Sequence, residues 1–290
     1  MIDSQGYRLL DCGDGRRLDR FGTRCLDRPA PAVARVARGD PSLWSQADAR
    51  FVRTKGDCGE WVESRPLPAR WTIDLEGLVF ELKQSGVGHV GLFPEQLVNW
   101  RWVAEKVSRI TAAGGRMRLL NLFAYTGGTT LAAAAAGAHV VHVDAASNVV
   151  AWARRNAELS GLEGAPIRWI AEDARKFVKR QIARGNRYEA IVLDPPSYGH
   201  GPRGEVWRLA THLTQLLEAC LSLLGEGSFL LLTCHTPRFD APRLKAMLAG
   251  VLRSAGRGGG IHAAPLALRA ETGRSLPSGV VVRWTAGDEV

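Results

Sequence analysis

The sequence contains no Cys-x-x-Cys pair, and its five cysteines (Cys12, Cys25, Cys58, Cys220 and Cys234) are scattered along the chain. That excludes a disulfide framework and a zinc site built on paired cysteines, and it fits a reducing compartment. No apolar run approaches the roughly 18 residues that a membrane-spanning helix needs. The opening stretch, MIDSQGYRLLDCGDGRR, lacks the apolar core of a secretory signal. A cytoplasmic protein with no membrane partner and no metal is therefore expected. There is no internal repeat and no long low-complexity tract.

What the chain does have is bulk and positive charge. It is 290 residues long and 46% hydrophobic, enough for one large domain or one large and one small. Its formal net charge is +9, carried mostly by arginine, which favours a polyanionic partner such as nucleic acid. Four arginines near the start, Arg16, Arg17, Arg20 and Arg24, are candidates for phosphate contacts.

The texture changes along the chain. YRLLDCGDGRRLDRFG reads as a hairpin turning at Gly13-Asp14-Gly15. The segment DRPAPAVARVARGDPSLW, rich in Pro, Ala and Arg, reads as a connection. WTIDLEGLVFELKQSG reads as two strands around Glu76-Gly77. Residues 1–85 are thus expected to form a small β-rich region. After it, Trp100, Val103, Val107 and Ile110 recur at helical spacing. Strands and helices then alternate to the end. Strand patterns cover residues 117–124, 138–144, 166–171, 188–194, 228–234, 261–268 and 279–285. Helices are expected to begin near Thr129, Asn148, Asp173, Glu205 and Asp240, the last with Pro242 just inside it. This alternation predicts an α/β fold over residues 86–290, a Rossmann-like parallel sheet covered by helices on both faces.

Ligands of open α/β sheets bind at the carboxyl ends of the strands. The first strand of the alternation runs into NLFAYTGGTTLAAAAAG. Its glycines let backbone approach a ligand, and the following helix start offers unpaired N–H groups. This loop carries neither the dinucleotide pattern G-x-G-x-x-G nor the Gly-Lys-Ser/Thr of an NTP site, which disfavours a nicotinamide dehydrogenase and an NTPase. The second strand ends at Asp144, where a carboxylate can accept the two hydroxyls of a ribose. Ser147 can cap the next helix and so leave Asp144 free. Asp173 ends the third strand and is placed to accept from an adenine amino group or to start a helix. The fourth ends in YEAIVLDPPSYGHG, a carboxylate followed by two rigid prolines and an aromatic ring.

Three acidic strand ends, a glycine loop and Asp-Pro-Pro-Ser-Tyr, in that order, resemble a class I S-adenosylmethionine-dependent methyltransferase. GLFPEQLVNWRW, the loop-to-helix stretch NLFAYTGG through RRNAELSGL, and IVLDPPSYGHG resemble the bacterial methyltransferases that modify large-subunit ribosomal RNA at cytosine or guanine. The likeness covers about two-thirds of the chain, from His89 onward. It implies S-adenosylmethionine as cofactor, ribosomal RNA as partner and an antiparallel last strand. It places Asn121, Phe123, Ala124, Tyr125, Thr126 and Gly127 around the methionine part of the cofactor. Asp144, with Ser147 nearby, falls at the ribose, and Ala145, Asp173 and Ala174 at the adenine. Asp194 falls near the transferable methyl, and Phe93 and Gln96 over the cofactor. Asn156 matches a structural asparagine. The sequence departs from its relatives at Glu95-Gln96-Leu97, where many read Asp-Gln-Arg.

Methyl transfer from a sulfonium needs positioning more than activation. Pro195 and Pro196 fix the backbone and offer no N–H, so nearby carbonyls can face an amino group. Tyr198 can stack on a base that is unpaired or flipped out. Cys234, in FLLLTCHTP, is a candidate nucleophile for carbon-5 methylation of a pyrimidine, and equally a buried strand cysteine. His200 and His235 flank the same region. The alternatives to a ribosomal RNA methyltransferase are one acting on a small molecule or protein, and a non-catalytic RNA-binding protein of the same fold.

Overall fold

A computed structural model describes residues 6–287. Residues 1–5, where the stretch read as lacking a secretory signal begins, lie outside the described residues. The chain divides into two compact units, Met1–Glu95 with Ala267–Ser278, and Gln96–Leu266 with Gly279–Val290. The sequence boundary at 85/86 falls before this break and assigns no later segment to the first unit.

In the first unit, β1 (Tyr7–Gly13), β2 (Arg16–Phe21), β3 (Arg24–Pro29), β4 (Ala49–Lys55) and β5 (Cys58–Glu63) form one sheet in that order. Neighbours are antiparallel except β3 and β4, which are parallel. The expected hairpin is there, with Asp14 at φ 51° in its turn. So is the second, β6 (Trp71–Leu75) with β7 (Leu78–Leu82), where Glu76 and Gly77 both take positive φ. Strands β3 to β5 carry no expectation from sequence. Strands β4 and β5 are largely exposed and mix charged with apolar residues, so no clean alternation marks them.

Three of the four arginines expected at phosphates, Arg16, Arg17 and Arg20, are engaged inside this unit. Arg16 Nε donates to Asp27 Oδ1 at 2.5 Å, Arg17 Nε to Asp19 Oδ1 at 2.9 Å, and Arg20 Nη2 to Gln46 Oε1 at 3.1 Å. Asp19 and Asp27 have no solvent exposure. A buried carboxylate left without its cation is strongly destabilising, so Arg16 and Arg17 stabilise the sheet rather than reach outward.

The second unit follows the expected alternation. Its elements are α1 (Leu97–Ala112), β8 (Arg118–Leu122), α2 (Gly128–Ala135), β9 (His139–Asp144), α3 (Ser147–Leu159), β10 (Ile167–Ala171), α4 (Ala174–Ala183) and β11 (Tyr188–Leu193). A short ribbon, β12 (Tyr198–His200) with β13 (Val206–Arg208), precedes α5 (Leu209–Leu223) and β14 (Leu224–Cys234). After α6 (Ala241–Ser254), the strands β15 (Gly260–Arg269) and β16 (Ser275–Thr285) close the chain. The helix expected near Glu205 starts at Leu209 instead, because Val206–Arg208 pairs with Tyr198–His200. Asp240 caps α6 as expected, its Oδ1 accepting from Arg243 N at 2.9 Å.

The main sheet has the order β10-β9-β8-β11-β14-β16-β15. The pairs from β10 to β14 are parallel, and β14 with β16 is antiparallel. The reversal at β16 is the antiparallel last strand that the family resemblance implied. Strand order turns back at β8, and the carboxyl ends of β8, β9 and β11 meet at that switch point. Side chains alternate between two cores, as the pleat requires. Ile191 and Leu193, with Leu230 and Leu232, face α4, α5 and α6, and Ala190, Val192, Phe229 and Leu231 face α1 and α2.

Candidate active site

The site forms at the carboxyl ends of these strands, all within the second unit. After β8 the chain turns through Phe123 (φ 56°) and Tyr125 (φ 48°), two non-glycine residues in left-handed backbone. Such conformations cost about 1–3 kcal/mol each and persist only where surroundings hold them. Here Tyr125 N donates to Asp144 Oδ2 at 2.9 Å, and Ala124 N to Val143 O at 3.1 Å. Asn156, expected to be structural, donates from Nδ2 to Thr126 O at 2.9 Å and ties the loop to α3. Gly128 admits no side chain, since a Cβ there would lie 2.0 Å from a ring carbon of Trp100.

Asp144 sits at the end of β9. Its Oδ1 accepts from Ala146 N at 3.0 Å, while Oδ2 takes Tyr125 N. A carboxylate has about four acceptor positions, so these amides orient it without exhausting it. Burial pushes its carboxyl up from the ordinary range, and the amides of Ala146, Tyr125 and Ala145 pull it back in part. Ser147 does not cap α3: the N-cap is Ala146, with no side-chain hydrogen bond, and Ser147 is exposed. Asp173 is the N-cap of α4, its Oδ1 accepting from Lys176 N at 3.0 Å, with Arg175 3.5 Å from Oδ2.

A slot runs between these strand ends and the ribbon. Phe123, Val143, Ala145, Ala174, Pro196 and Trp207 give it apolar walls, and Asp144, Glu172 and Asp173 an acidic side. Gly199, His200 and Gly201 of the ribbon complete it. Its flat apolar walls and single-sided acceptors fit an adenosine group. The ribbon is fastened: Trp207 Nε1 donates to Pro196 O at 2.7 Å, Arg175 Nη2 to Val206 O at 3.0 Å, and Lys176 pairs with Glu205. No sequence signal marks the ribbon or Trp207. Of the carbonyls around the two prolines, that of Pro196 accepts the indole N–H.

The Asp-Pro-Pro turn leaves β11 beside β14. Asp194 is the hub of a polar cluster. Thr233 Oγ1 donates to its Oδ1 at 2.5 Å, Gln96 Nε2 donates to Oδ2 at 3.0 Å, and His235 Nε2 lies 3.3 Å from Oδ1. Burial opposes the charge, but His235, Thr233 and Gln96 outweigh it and hold the carboxyl below its ordinary range. Pro195 is buried, and Tyr198 stands 52% exposed with its ring edge-on to His200. Thr233 and His235 had only passing weight in the sequence, yet both touch Asp194. Asn121 points into a buried network, donating from Nδ2 to Thr130 Oγ1 at 2.9 Å. Phe93 lies in the first unit, its ring edge-on to His89. Among the described residues, no helix is long and apolar enough to cross a membrane, and no group of three or more metal-ligating side chains clusters.

Residues 24–246 match the family model described as S-adenosylmethionine-dependent methyltransferase. The chain belongs to that family. The methyltransferase resembles, with a TM-score of 0.91 and 36% identity, the crystal structure of a SAM-dependent methyltransferase from Agrobacterium tumefaciens, over 98% of this chain and 91% of that one. It is 32% identical over 170 residues to the ribosomal RNA large subunit methyltransferase K/L of Hahella chejuensis, covering 58% of this chain and 22% of the relative. It is also 32% identical over 164 residues to the ribosomal RNA large subunit methyltransferase I of Aeromonas salmonicida, covering 53% and 38%. The methyltransferase thus spans well under half the length of these curated relatives.

Cys234 is not displayed in the site. It shares the strand face of Leu230 and Leu232, packs in the core under α5 and α6, and is 1% exposed. Burial raises its thiol above the ordinary range, the Thr236 amide and hydroxyl pull it down, and Asp194 pushes it up again. A nucleophile needs a thiolate. Cys234→Ala in this methyltransferase is therefore expected to keep kcat within about threefold of wild type and to lose about 1 kcal/mol of stability. Paired transfer assays and urea melts check both.

Proposed function

We propose that this methyltransferase transfers the methyl group of S-adenosylmethionine to a nitrogen of a base in ribosomal RNA. The observation that carries the reading is the Asp-Pro-Pro-Ser-Tyr turn, which joins an ionised Asp194 held by Thr233, Gln96 and His235 to an exposed Tyr198 at the carboxyl edge of the sheet. The names of the matched relatives and the net charge of +9 support RNA as the acceptor.

In this reading Asp144 takes the ribose hydroxyls, and the slot from Ala145 to Ala174 takes the adenine. Residues 121–128 line the methionine part. The bound cofactor supplies a methyl group already activated on sulfur. The chain's own work is alignment. Tyr198 stacks on an extruded base, a contact worth about 1–3 kcal/mol. Pro195 and Pro196 hold the turn stiff, and the Asp194 carboxylate offers fixed negative charge beside the nitrogen as it becomes cationic. The Cys234 thiol, turned into the core, leaves carbon-5 addition without a nucleophile, which is why a nitrogen is preferred.

The test is transfer of tritiated methyl to ribosomal RNA from cells lacking the gene. Wild type is expected to label the RNA, and Asp194→Ala to label it about 100-fold more slowly or worse. Protein that binds the cofactor but leaves this RNA unlabelled, while labelling a protein or small-molecule fraction, overturns the reading.

A further inference from the structure

We propose that Asn99 and Arg283 are positioning residues for the transfer, forming a one-way hydrogen-bond relay that orients the Gln96 amide and, through it, Asp194. The inference rests on the reading that Asp194 lies at the reacting centre. Three links build it. Arg283 Nη2 donates to Asn99 Oδ1 at 2.8 Å. Asn99 Nδ2 donates to Gln96 Oε1 at 2.8 Å, and Gln96 Nε2 donates to Asp194 Oδ2 at 3.0 Å.

The direction of this chain follows from chemistry. A primary amide can present either its oxygen or its NH2, so Asn99 and Gln96 alone have no fixed sense. Arginine only donates, and an ionised carboxylate only accepts. With Arg283 at one end, Asn99 must turn its oxygen outward and its NH2 toward Gln96. Gln96 must then accept with its oxygen, which leaves its NH2 for Asp194. Both amides therefore have one orientation, set from the far end. Gln96 is 7% exposed and Asn99 1%, so water does not compete for either.

The fold delivers the three groups independently. Gln96 and Asn99 are three residues apart at the start of α1, a spacing that puts side chains side by side. Arg283 stands on β16, opposite Leu231 of β14, one pleat from the pair of Val281 with Thr233. Its guanidinium is steadied by the Trp102 ring, 4.9 Å away, and by Val98 O at 3.3 Å. The second Gln96 proton has Thr233 Oγ1, itself a partner of Asp194, within reach at 3.2 Å. Reversing Gln96 would turn its carbonyl toward Asp194 and set acceptor against acceptor at that point.

Asn99→Asp tests this by inverting one link at constant shape. The carboxylate placed at position 99 still pairs with Arg283, but it accepts from Gln96 and so reverses that amide. With ribosomal RNA as acceptor, kcat is expected to fall about 30-fold or more, the size of effect that misplaced reacting groups produce. Cofactor Kd by calorimetry is expected to stay within about threefold. An acid limb absent from wild type is expected to enter the kcat profile as Asp194 loses its donor. Arg283→Met, at the half-exposed end of the relay, is expected to lower kcat about tenfold with cofactor Kd again unchanged; it decides the matter if Asn99→Asp fails to fold. A readout independent of the acceptor is the side-chain NH2 resonance of Gln96 in nitrogen-15-labelled protein, which both variants are expected to move. Folded variants that keep kcat within threefold, that lose cofactor affinity in step with activity, or that leave the Gln96 resonance in place would overturn the relay. Asp194→Ala separates the two ideas: if it stays active, the reading of Asp194 is wrong, whereas an inactive Asp194→Ala beside an active Asn99→Asp removes the relay alone.

Discussion

Replacing Asp144 by asparagine is expected to raise the dissociation constant for S-adenosylmethionine by about 100-fold or more while the protein stays folded. The change removes one acceptor and puts an NH2 in its place. In wild type, Oδ1 faces the amide of Ala146 and Oδ2 that of Tyr125. Asparagine can satisfy one of these and must turn its NH2 on the other. If it faces Tyr125, the left-handed loop loses the partner that holds it. Either way the charge proposed to accept the ribose hydroxyls is gone, and hydrogen bonds to charged groups contribute about 1.5–3 kcal/mol each. Two such losses correspond to roughly 100-fold or more in affinity. Titration calorimetry gives the constant, and a thermal melt without cofactor shows whether the fold survives. A Kd within about fivefold of wild type would remove Asp144 from the ribose site.

The placement of Asp144 was legible in the sequence because an apolar strand ending in a carboxylate is a strong local pattern. The same held for Asp240 with Pro242 at α6, and for the turns at Asp14 and Glu76. Cys234 was also within reach: alternation along FLLLTC by itself puts it with Leu230 and Leu232, away from Thr233. Other features had no local signal. The ribbon strands Tyr198–His200 and Val206–Arg208 are three residues each. They are held by Trp207, Arg175 and Lys176 through contacts distant in sequence. The Asp194 cluster joins residues 96, 233 and 235, and nothing local in any of them announces the others. Arg16 and Arg17 show the reverse error. Charge alone assigned them to a polyanion, while partners on neighbouring strands, Asp27 and Asp19, decide where they point.

Stability is expected to fall as pH drops below about 6.5, with a component that His142→Gln removes. His142 is fully buried on β9, and burial lowers its pKa from 6.5 to about 3. Thr130 Oγ1 lies 2.9 Å from its Nδ1 and accepts from Asn121 Nδ2. The ring Nε2 is buried with no hydrogen-bond partner. Above pH 6.5 the histidine is neutral in both folded and unfolded chains and contributes no pH dependence. Below 6.5 the unfolded chain binds a proton that the folded one refuses, and stability falls by up to about 1.4 kcal/mol per pH unit. The fall continues toward pH 3, where the folded histidine also titrates. Between pH 6.5 and 5 the component amounts to about 2 kcal/mol. Urea unfolding of wild type and His142→Gln at about pH 7, 6 and 5 isolates it, since carboxylate titrations are common to both proteins. The stability difference is expected to shift toward the variant by about 2 kcal/mol over that range; a constant difference would show that His142 takes a proton inside the fold. That outcome would matter for the site as well. A protonated ring presents an N–H at Nδ1 to Thr130 Oγ1, which already accepts from Asn121, so the Thr130 hydroxyl proton would have to point elsewhere beneath the loop.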